Sequence, residues 1–150
     1  MLKKNLRRET IYGIAVSFRT AIIKAKQNQK FDRKDRMSNF PSGCCDDECD
    51  LLAFYLYDGF QINAKQVNGV YRDDNCYNTR NHVWLIVNDL IIDITADQFP
   101  TLIKHVNGIY VGTDGMFYKH LEDIKFQNNY NIKESLRLWN DYQIILKYID

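Results

Sequence analysis

Residues 40–56 read Phe-Pro-Ser-Gly-Cys-Cys-Asp-Asp-Glu-Cys-Asp-Leu-Leu-Ala-Phe-Tyr-Leu. Gly43 gives the backbone the freedom for a sharp turn, and the apolar residues that follow predict a helix over about 45–57. This stretch therefore places a cysteine in the first turn of a helix. The unpaired N–H groups and the dipole at a helix N-terminus lower the pKa of a thiol there, so the pattern predicts a nucleophile.

A histidine and an aspartate follow on two strand-like segments. Residues 81–87 read Asn-His-Val-Trp-Leu-Ile-Val, and residues 90–94 read Leu-Ile-Ile-Asp-Ile. The polar pair Asn88-Asp89 between them predicts a tight turn, and pairing about that turn brings His82 close to residues 93–95. A thiol needs a base within hydrogen-bond reach and a carboxylate to orient that base. The sequence thus predicts a Cys-His-Asp triad.

The rest of the chain predicts one α+β domain that spans residues 1–150, with helices flanking an antiparallel sheet. The predicted elements are amphipathic helices over 9–28 and about 131–149, an alternating segment over 60–72 with a possible turn at Asn68-Gly69, and a strand at 109–111. His120 lies in an apparent helix beside Glu122 and Asp123.

Composition excludes several classes of protein. Twenty basic and nineteen acidic residues leave a formal charge of +1, which gives nucleic-acid binding no support. No stretch has the ~18 consecutive apolar residues of a membrane span, and the N-terminus has no apolar segment typical of a signal peptide. We therefore expect a cytoplasmic protein, unless a specialised export route recognises it. We expect the cysteines at 44, 45, 49 and 76 to be reduced thiols.

The motifs around these residues resemble the transglutaminase-core branch of the papain-like enzymes. They are Phe-Pro-Ser-Gly-Cys-Cys, His-Val-Trp-Leu-Ile-Val and Ile-Asp-Ile-Thr-Ala-Asp-Gln-Phe, which together cover about residues 40–99. They are similar to small bacterial proteins that carry a Phe-Pro-x-Gly-x-Cys block. The resemblance implies a papain-like fold, with Cys45 as the nucleophile two residues after the glycine, His82 as the base and Asp93 as its partner. It also implies an oxyanion-hole amide six residues before the nucleophile, at Asn39.

Several assignments remain open at the level of sequence. Cys44 is adjacent to Cys45 and is an alternative nucleophile or a pocket residue. Asn39 could equally cap a loop, and Trp84 could pack on the strand face that it shares with His82. Gln98 is compatible with substrate contact and with a polar strand end. The acidic residues at 46, 47, 48 and 50 interact favourably with the dipole at the helix N-terminus, but their negative charges disfavour a thiolate nearby.

Three functions follow from these residues. The first is a thiol-dependent enzyme that acts on an amide bond of a protein or peptide through an acyl-enzyme, without a cofactor or metal. The alternatives are an acyltransferase with a thioester donor and a non-catalytic binding or immunity-type protein that keeps the fold. A zinc site built from Cys44 or Cys45, Cys49, Cys76 and His82 is the rival metal hypothesis, although its spacing is not that of a zinc motif. His105 and His120 have no convincing carboxylate partner in the sequence.

Overall fold

The computed structural model describes residues 2–72, 79–99, 108–113 and 115–150, and gives no side-chain placement for residues 2–6 and 116. The fold is α+β, with a five-stranded antiparallel sheet in the order β4-β3-β2-β1-β5. The helices are α1 (Leu2–Gln27), α2 (Cys45–Phe60), α3 (Met116–Lys119) and α4 (Leu136–Leu146), and the strands are β1 (Lys65–Arg72), β2 (Thr79–Val87), β3 (Leu90–Asp93), β4 (Tyr110–Gly112) and β5 (Glu122–Gln127).

The helix that begins at the cysteines forms as predicted and is slightly longer. It ends at Phe60 because Gln61 adopts a left-handed conformation, with φ of 56°. The Gln61 N–H then donates to the carbonyls of Leu56 and Tyr57, which caps the helix. The first helix is also longer than predicted, since it begins at Leu2 instead of near residue 9.

The predicted hairpin between β2 and β3 is confirmed. Val87 pairs with Leu90 and Leu85 pairs with Ile92, so that Asn88 and Asp89 form a two-residue turn. Asn88 has a φ of 55°, as tight hairpin turns require. The two-residue turn fixes the register of the strands, and therefore the positions of His82 and Asp93.

The predicted turn at Asn68-Gly69 is wrong, because β1 continues through these residues, with a shift in its pairing to β5 between Asn68 and Val70. Gly69 lies directly opposite His82 on β2. A Cβ at Gly69 would come within 2.9–3.0 Å of the side chains of Trp84, Leu121 and Ile124. The glycine therefore makes room for side chains that pack over the strand, and it is not a turn residue.

The predicted helix around His120 is also wrong. His120 caps the end of the short helix α3, and the chain then enters the edge strand β5 at Glu122. Every side chain of β5 is exposed, so no alternation of buried and exposed positions marks this strand in the sequence. The C-terminal helix is confirmed, although its first residues form a separate 3-10 turn at Ile132–Glu134.

Among the described residues, two hydrophobic clusters pack around the sheet. The larger cluster packs α1, α2 and α4 against the sheet and contains Phe18, Ile22, Leu52, Leu56, Leu85, Ile92 and Tyr142 among others. The smaller one contains Val67, Trp84, Ala96, Phe99, Tyr118 and Leu121. Within the described ranges, no helix has the length and apolarity needed to cross a bilayer.

Candidate active site

Cys45 is the first residue of α2 and is partly exposed, whereas Cys44 is completely buried. Gly43, with φ of 70°, turns the chain into the helix, and the first helical hydrogen bond runs from the Glu48 N–H to the Cys44 carbonyl at 2.9 Å. The backbone N–H groups of the first turn have no partner within the helix, so they form a ready donor set beside the Cys45 sulfur.

Cys44 packs in the larger hydrophobic cluster. Burial, followed by the neighbouring Glu48 and Cys45, raises the pKa of the Cys44 thiol far above its ordinary range. A thiol that stays protonated and inaccessible is a poor nucleophile. Cys45 is thus the better placed of the two adjacent thiols.

His82 and Asp93 form a completely buried pair across the hairpin. The His82 Nε2 lies 2.6 Å from the Asp93 Oδ2, and both side chains have 0% exposure. Burial opposes charge on the imidazole, but the Asp93 carboxylate and the adjacent Cys45 outweigh it and raise the pKa of His82 from 6.5 to about 10. Burial likewise opposes charge on Asp93, and its interaction with His82 and its hydrogen bonds lower the Asp93 pKa below 3.8. The pair is therefore an imidazolium and a carboxylate at neutral pH.

Asp93 is held by two residues that the sequence did not identify. The Tyr118 hydroxyl donates to Asp93 Oδ2 at 2.7 Å. The Thr95 N–H and hydroxyl both donate to Asp93 Oδ1, at 3.0 and 3.2 Å. The signal for Thr95 was available, because a threonine two residues after an aspartate can close a local turn. Tyr118 comes from α3, and no sequence spacing connects it to Asp93.

The second ring nitrogen of His82 is open toward the thiol. His82 Nδ1 is buried and has no hydrogen-bond partner. Cys45 is nevertheless among the groups that raise the pKa of His82, after burial and Asp93, so its thiol is close to the ring. Catalytic hydrogen bonds often tighten only when substrate binds.

The two aspartates that follow Cys45 are both paired with arginines. Asp46 and Asp47 both accept from Arg36, at 3.3 and 3.0 Å, and Asp47 also accepts from Arg137 at 2.8 Å. Arg137 comes from α4, so the C-terminal helix neutralises the first turn of α2. This arrangement removes much of the repulsion that two free carboxylates would exert on a thiolate.

Glu48 is the exception among these acids, and its position was not predicted. Its side chain is buried, with 1% exposure, three residues after Cys45. Burial and the negative charge of Asp93 raise the pKa of Glu48 well above 4.5. A row of acids at a helix start is typical of a solvated face, so the burial of Glu48, and that of Asp47 and Asp50, could not be predicted from the sequence.

Trp84 lies against the imidazole. Its ring stacks on His82 with centroids 5.9 Å apart, and Phe99 meets His82 edge-on at 5.0 Å. The Trp84 side chain is 2% exposed, and its Nε1 has no hydrogen-bond partner. Trp84 therefore shields the His82–Asp93 pair from water; its role in a substrate pocket stays a prediction.

Gln98 connects the segment after Asp93 to the loop before the nucleophile. Its Nε2 donates to the Pro41 carbonyl at 2.8 Å. The neighbouring Asp97 pairs with Arg19 of α1 at 2.7 Å, which fixes this segment to the first helix. These bonds explain both polar residues structurally, and a substrate contact of Gln98 stays a prediction.

Asn39 is exposed at the end of a 3-10 turn over Arg36–Asn39. Its backbone carbonyl accepts from the Ser42 N–H at 2.9 Å, so it organises the loop that leads to Cys45. The proposed oxyanion-hole role of its side chain stays a prediction.

The remaining candidates are separate from this group or lie outside the described residues. His120 is exposed. Cys76 and His105 belong to segments that the structure does not describe. Among the described residues, no three His, Cys, Asp or Glu side chains are arranged to hold a metal ion. Cys49 instead donates its thiol to Glu48 at 3.3 Å.

Unpaired buried polar atoms are concentrated at this site. In the described part of the chain they are Glu48 Oε2, His82 Nδ1, Trp84 Nε1 and Asp141 Oδ2. Three of the four belong to the group around Cys45, where such atoms indicate function more often than error. Comparison of the chain with protein-family models, with curated proteins and with solved structures finds no match.

Proposed function

We propose that this chain is a thiol enzyme of papain-like, transglutaminase-core fold. It cleaves an amide bond and passes the acyl group to water or to an amine, using Cys45, His82 and Asp93. The observation that carries the proposal is the buried His82–Asp93 pair, whose open Nδ1 lies beside a partly exposed thiol at a helix start. Such a pair supplies both the base that ionises the thiol and the carboxylate that orients this base.

The chemistry follows from the positions of these groups. His82 holds the Cys45 proton, and the thiolate adds to the amide carbonyl carbon while N–H groups of the first turn of α2 bind the oxyanion. His82 gives its proton to the nitrogen as the C–N bond breaks, which releases the amine and leaves a thioester on Cys45. His82 then takes a proton from water or an incoming amine, which attacks the thioester and displaces the Cys45 thiolate, so that the thiolate–imidazolium pair is restored.

An activated acyl ester tests this proposal without knowledge of the natural substrate. Wild-type protein mixed with p-nitrophenyl acetate should release p-nitrophenol in a burst of about one equivalent, with the acetyl group on Cys45 by mass spectrometry. Cys45→Ala should abolish the burst, and His82→Ala should slow it by about 10²-fold or more. Cys44→Ala is the matched control, since it removes the adjacent buried thiol and should keep the burst.

A burst that persists in Cys45→Ala would contradict the proposal. So would acetylation of Cys45 at the rate of an ordinary exposed thiol with no dependence on His82. That second result would favour a binding protein that keeps the fold without the chemistry.

A further inference from the structure

Glu48 lies in the first turns of α2, close to the proposed nucleophile but outside the triad. Residues three apart on a helix are neighbours on one face, so Glu48 and Cys45 share a face. The Glu48 Oε1 accepts from the Cys49 thiol at 3.3 Å, while Oε2 has no partner, although the side chain is 1% exposed.

The surroundings of Glu48 oppose ionisation of its carboxyl. The side chain is 1% exposed, its Oε2 has no hydrogen-bond partner, and the described residues place no ion-pair partner on it, so a charge there would be both desolvated and unpaired. Burial, followed by the negative charges of Asp93 and Cys45, accordingly raises the pKa of Glu48. The titratable groups around it are Cys44, Cys45 and Cys49 at the start of α2, His82 of β2, Asp93 of β3 and Tyr118 of α3.

A buried acid with one unpaired oxygen, and only a weak thiol donor on the other, adds little to the stability of the fold. Leucine would remove the unsatisfied Oε2 and lose the hydrogen bond from Cys49, and such replacements of buried polar groups are often neutral or stabilising. A protonated carboxyl differs from leucine in one useful property, which is a hydrogen-bond donor without a negative charge.

We propose that Glu48 is a fourth functional side chain of this site, which donates a hydrogen bond from its protonated carboxyl to the Cys45 sulfur when that sulfur is a thiolate. The donor stabilises the ionised nucleophile and adds no charge to a site that already contains Asp93. This inference rests on the proposed function, because it requires a thiolate at Cys45.

The rate of alkylation of Cys45 by iodoacetamide, followed against pH with the site located by mass spectrometry, tests this proposal. Glu48→Gln keeps a neutral donor of the same shape, so its rate should stay within about twofold of wild type. Glu48→Leu removes the donor and should slow alkylation of Cys45 about tenfold at neutral pH, because the thiolate is no longer stabilised. Thermal unfolding should show Glu48→Leu to be at least as stable as wild type. Slower alkylation without a loss of stability is not expected if Glu48 has only a structural role.

Two results would overturn the inference. Equal rates for Glu48→Leu and wild type would mean that Glu48 only fills space, and much faster alkylation of Glu48→Gln would mean that the native carboxyl is ionised. Should Glu48→Leu fail to fold, Glu48→Met applies the same test.

His82→Ala separates this inference from the proposed function. If His82→Ala does not change the pH dependence of Cys45 alkylation, the proposed function is wrong, and the role of Glu48 that rests on it is wrong as well. If His82→Ala changes it and Glu48→Leu does not, only the role of Glu48 is wrong. Infrared difference spectra of wild type and Glu48→Gln provide a reading independent of thiol chemistry, since the carbonyl band of a protonated acid should disappear in the variant.

Discussion

Asp93→Asn removes the negative charge that faces His82 and keeps a side chain of the same shape. With the carboxylate present, the pKa of His82 is about 10, although burial alone acts in the opposite direction. In the variant burial becomes the larger influence, so the pKa of His82 should fall to 6.5 or below. At about 1.4 kcal/mol per pH unit, this fall corresponds to about 5 kcal/mol of lost preference for the imidazolium.

The change also predicts how stability depends on pH. In wild type the raised pKa of His82 contributes stability that is present below 6.5 and is lost as pH rises through about 10. In Asp93→Asn the imidazole is buried without a counter-charge, so stability is lost as pH falls below 6.5. The difference in the free energy of unfolding between the two proteins should therefore be largest at about pH 5, where Asp93 is still ionised, and shrink toward about pH 9.

Urea unfolding at several pH values gives this difference, and the NMR titration of the His82 ring proton gives the pKa directly. Carboxylates elsewhere are common to both proteins and cancel in the comparison. An unchanged His82 pKa in the variant would refute the reasoning. A stability difference that grows with pH would refute it as well.

Three further predictions concern the surroundings of the site. Tyr118→Phe should cost about 1.5–3 kcal/mol in urea unfolding, because it removes a hydrogen bond to the charged Asp93, and a variant as stable as wild type would contradict this. Burial and the neighbouring Asp35 raise the pKa of Asp141 to about 9, so Asp141 destabilises the folded protein increasingly as pH rises above 3.8. Asp141→Asn should therefore become more stable than wild type as pH increases, and a difference in unfolding free energy that does not change with pH would contradict this. Gly69→Ala should lower the free energy of unfolding by about 1–3 kcal/mol, because the added Cβ overpacks the site. The control Gly13→Ala adds a Cβ to an exposed part of α1 with open space around it, and should raise that free energy by up to about 1 kcal/mol. Equal effects of the two substitutions would argue against close packing at Gly69.

The parts of the site that local chemistry determines could be predicted from the sequence. A two-residue polar turn between apolar runs sets one register for β2 and β3, and that register brings His82 to Asp93. The glycine before the cysteines and the apolar helix behind them place Cys45 at the first position of α2. Both depend on residues close together in the chain.

The parts that depend on tertiary packing could not be predicted. Tyr118 reaches Asp93 from a four-residue helix that no periodicity reveals. The Asn68-Gly69 pair has the composition of a hairpin turn, but the need to fit Trp84 over β1 decides its conformation. Glu48 looks like its acidic neighbours in the sequence, and only the packing of α2 against the rest of the fold gives buried Asp47 and Asp50 their partners and leaves one oxygen of Glu48 without any.

The most direct test of the central claim is the alkylation rate of Cys45 by iodoacetamide against pH, in wild type and in His82→Ala, with Cys44→Ala as the control. We expect selective labelling of Cys45 that is already fast at neutral pH, where a free thiol is mostly protonated. His82→Ala should slow this labelling to the rate of an ordinary thiol, and Cys44→Ala should leave it unchanged. Slow labelling that does not distinguish Cys45 from the other thiols, and that does not depend on His82, would contradict the account.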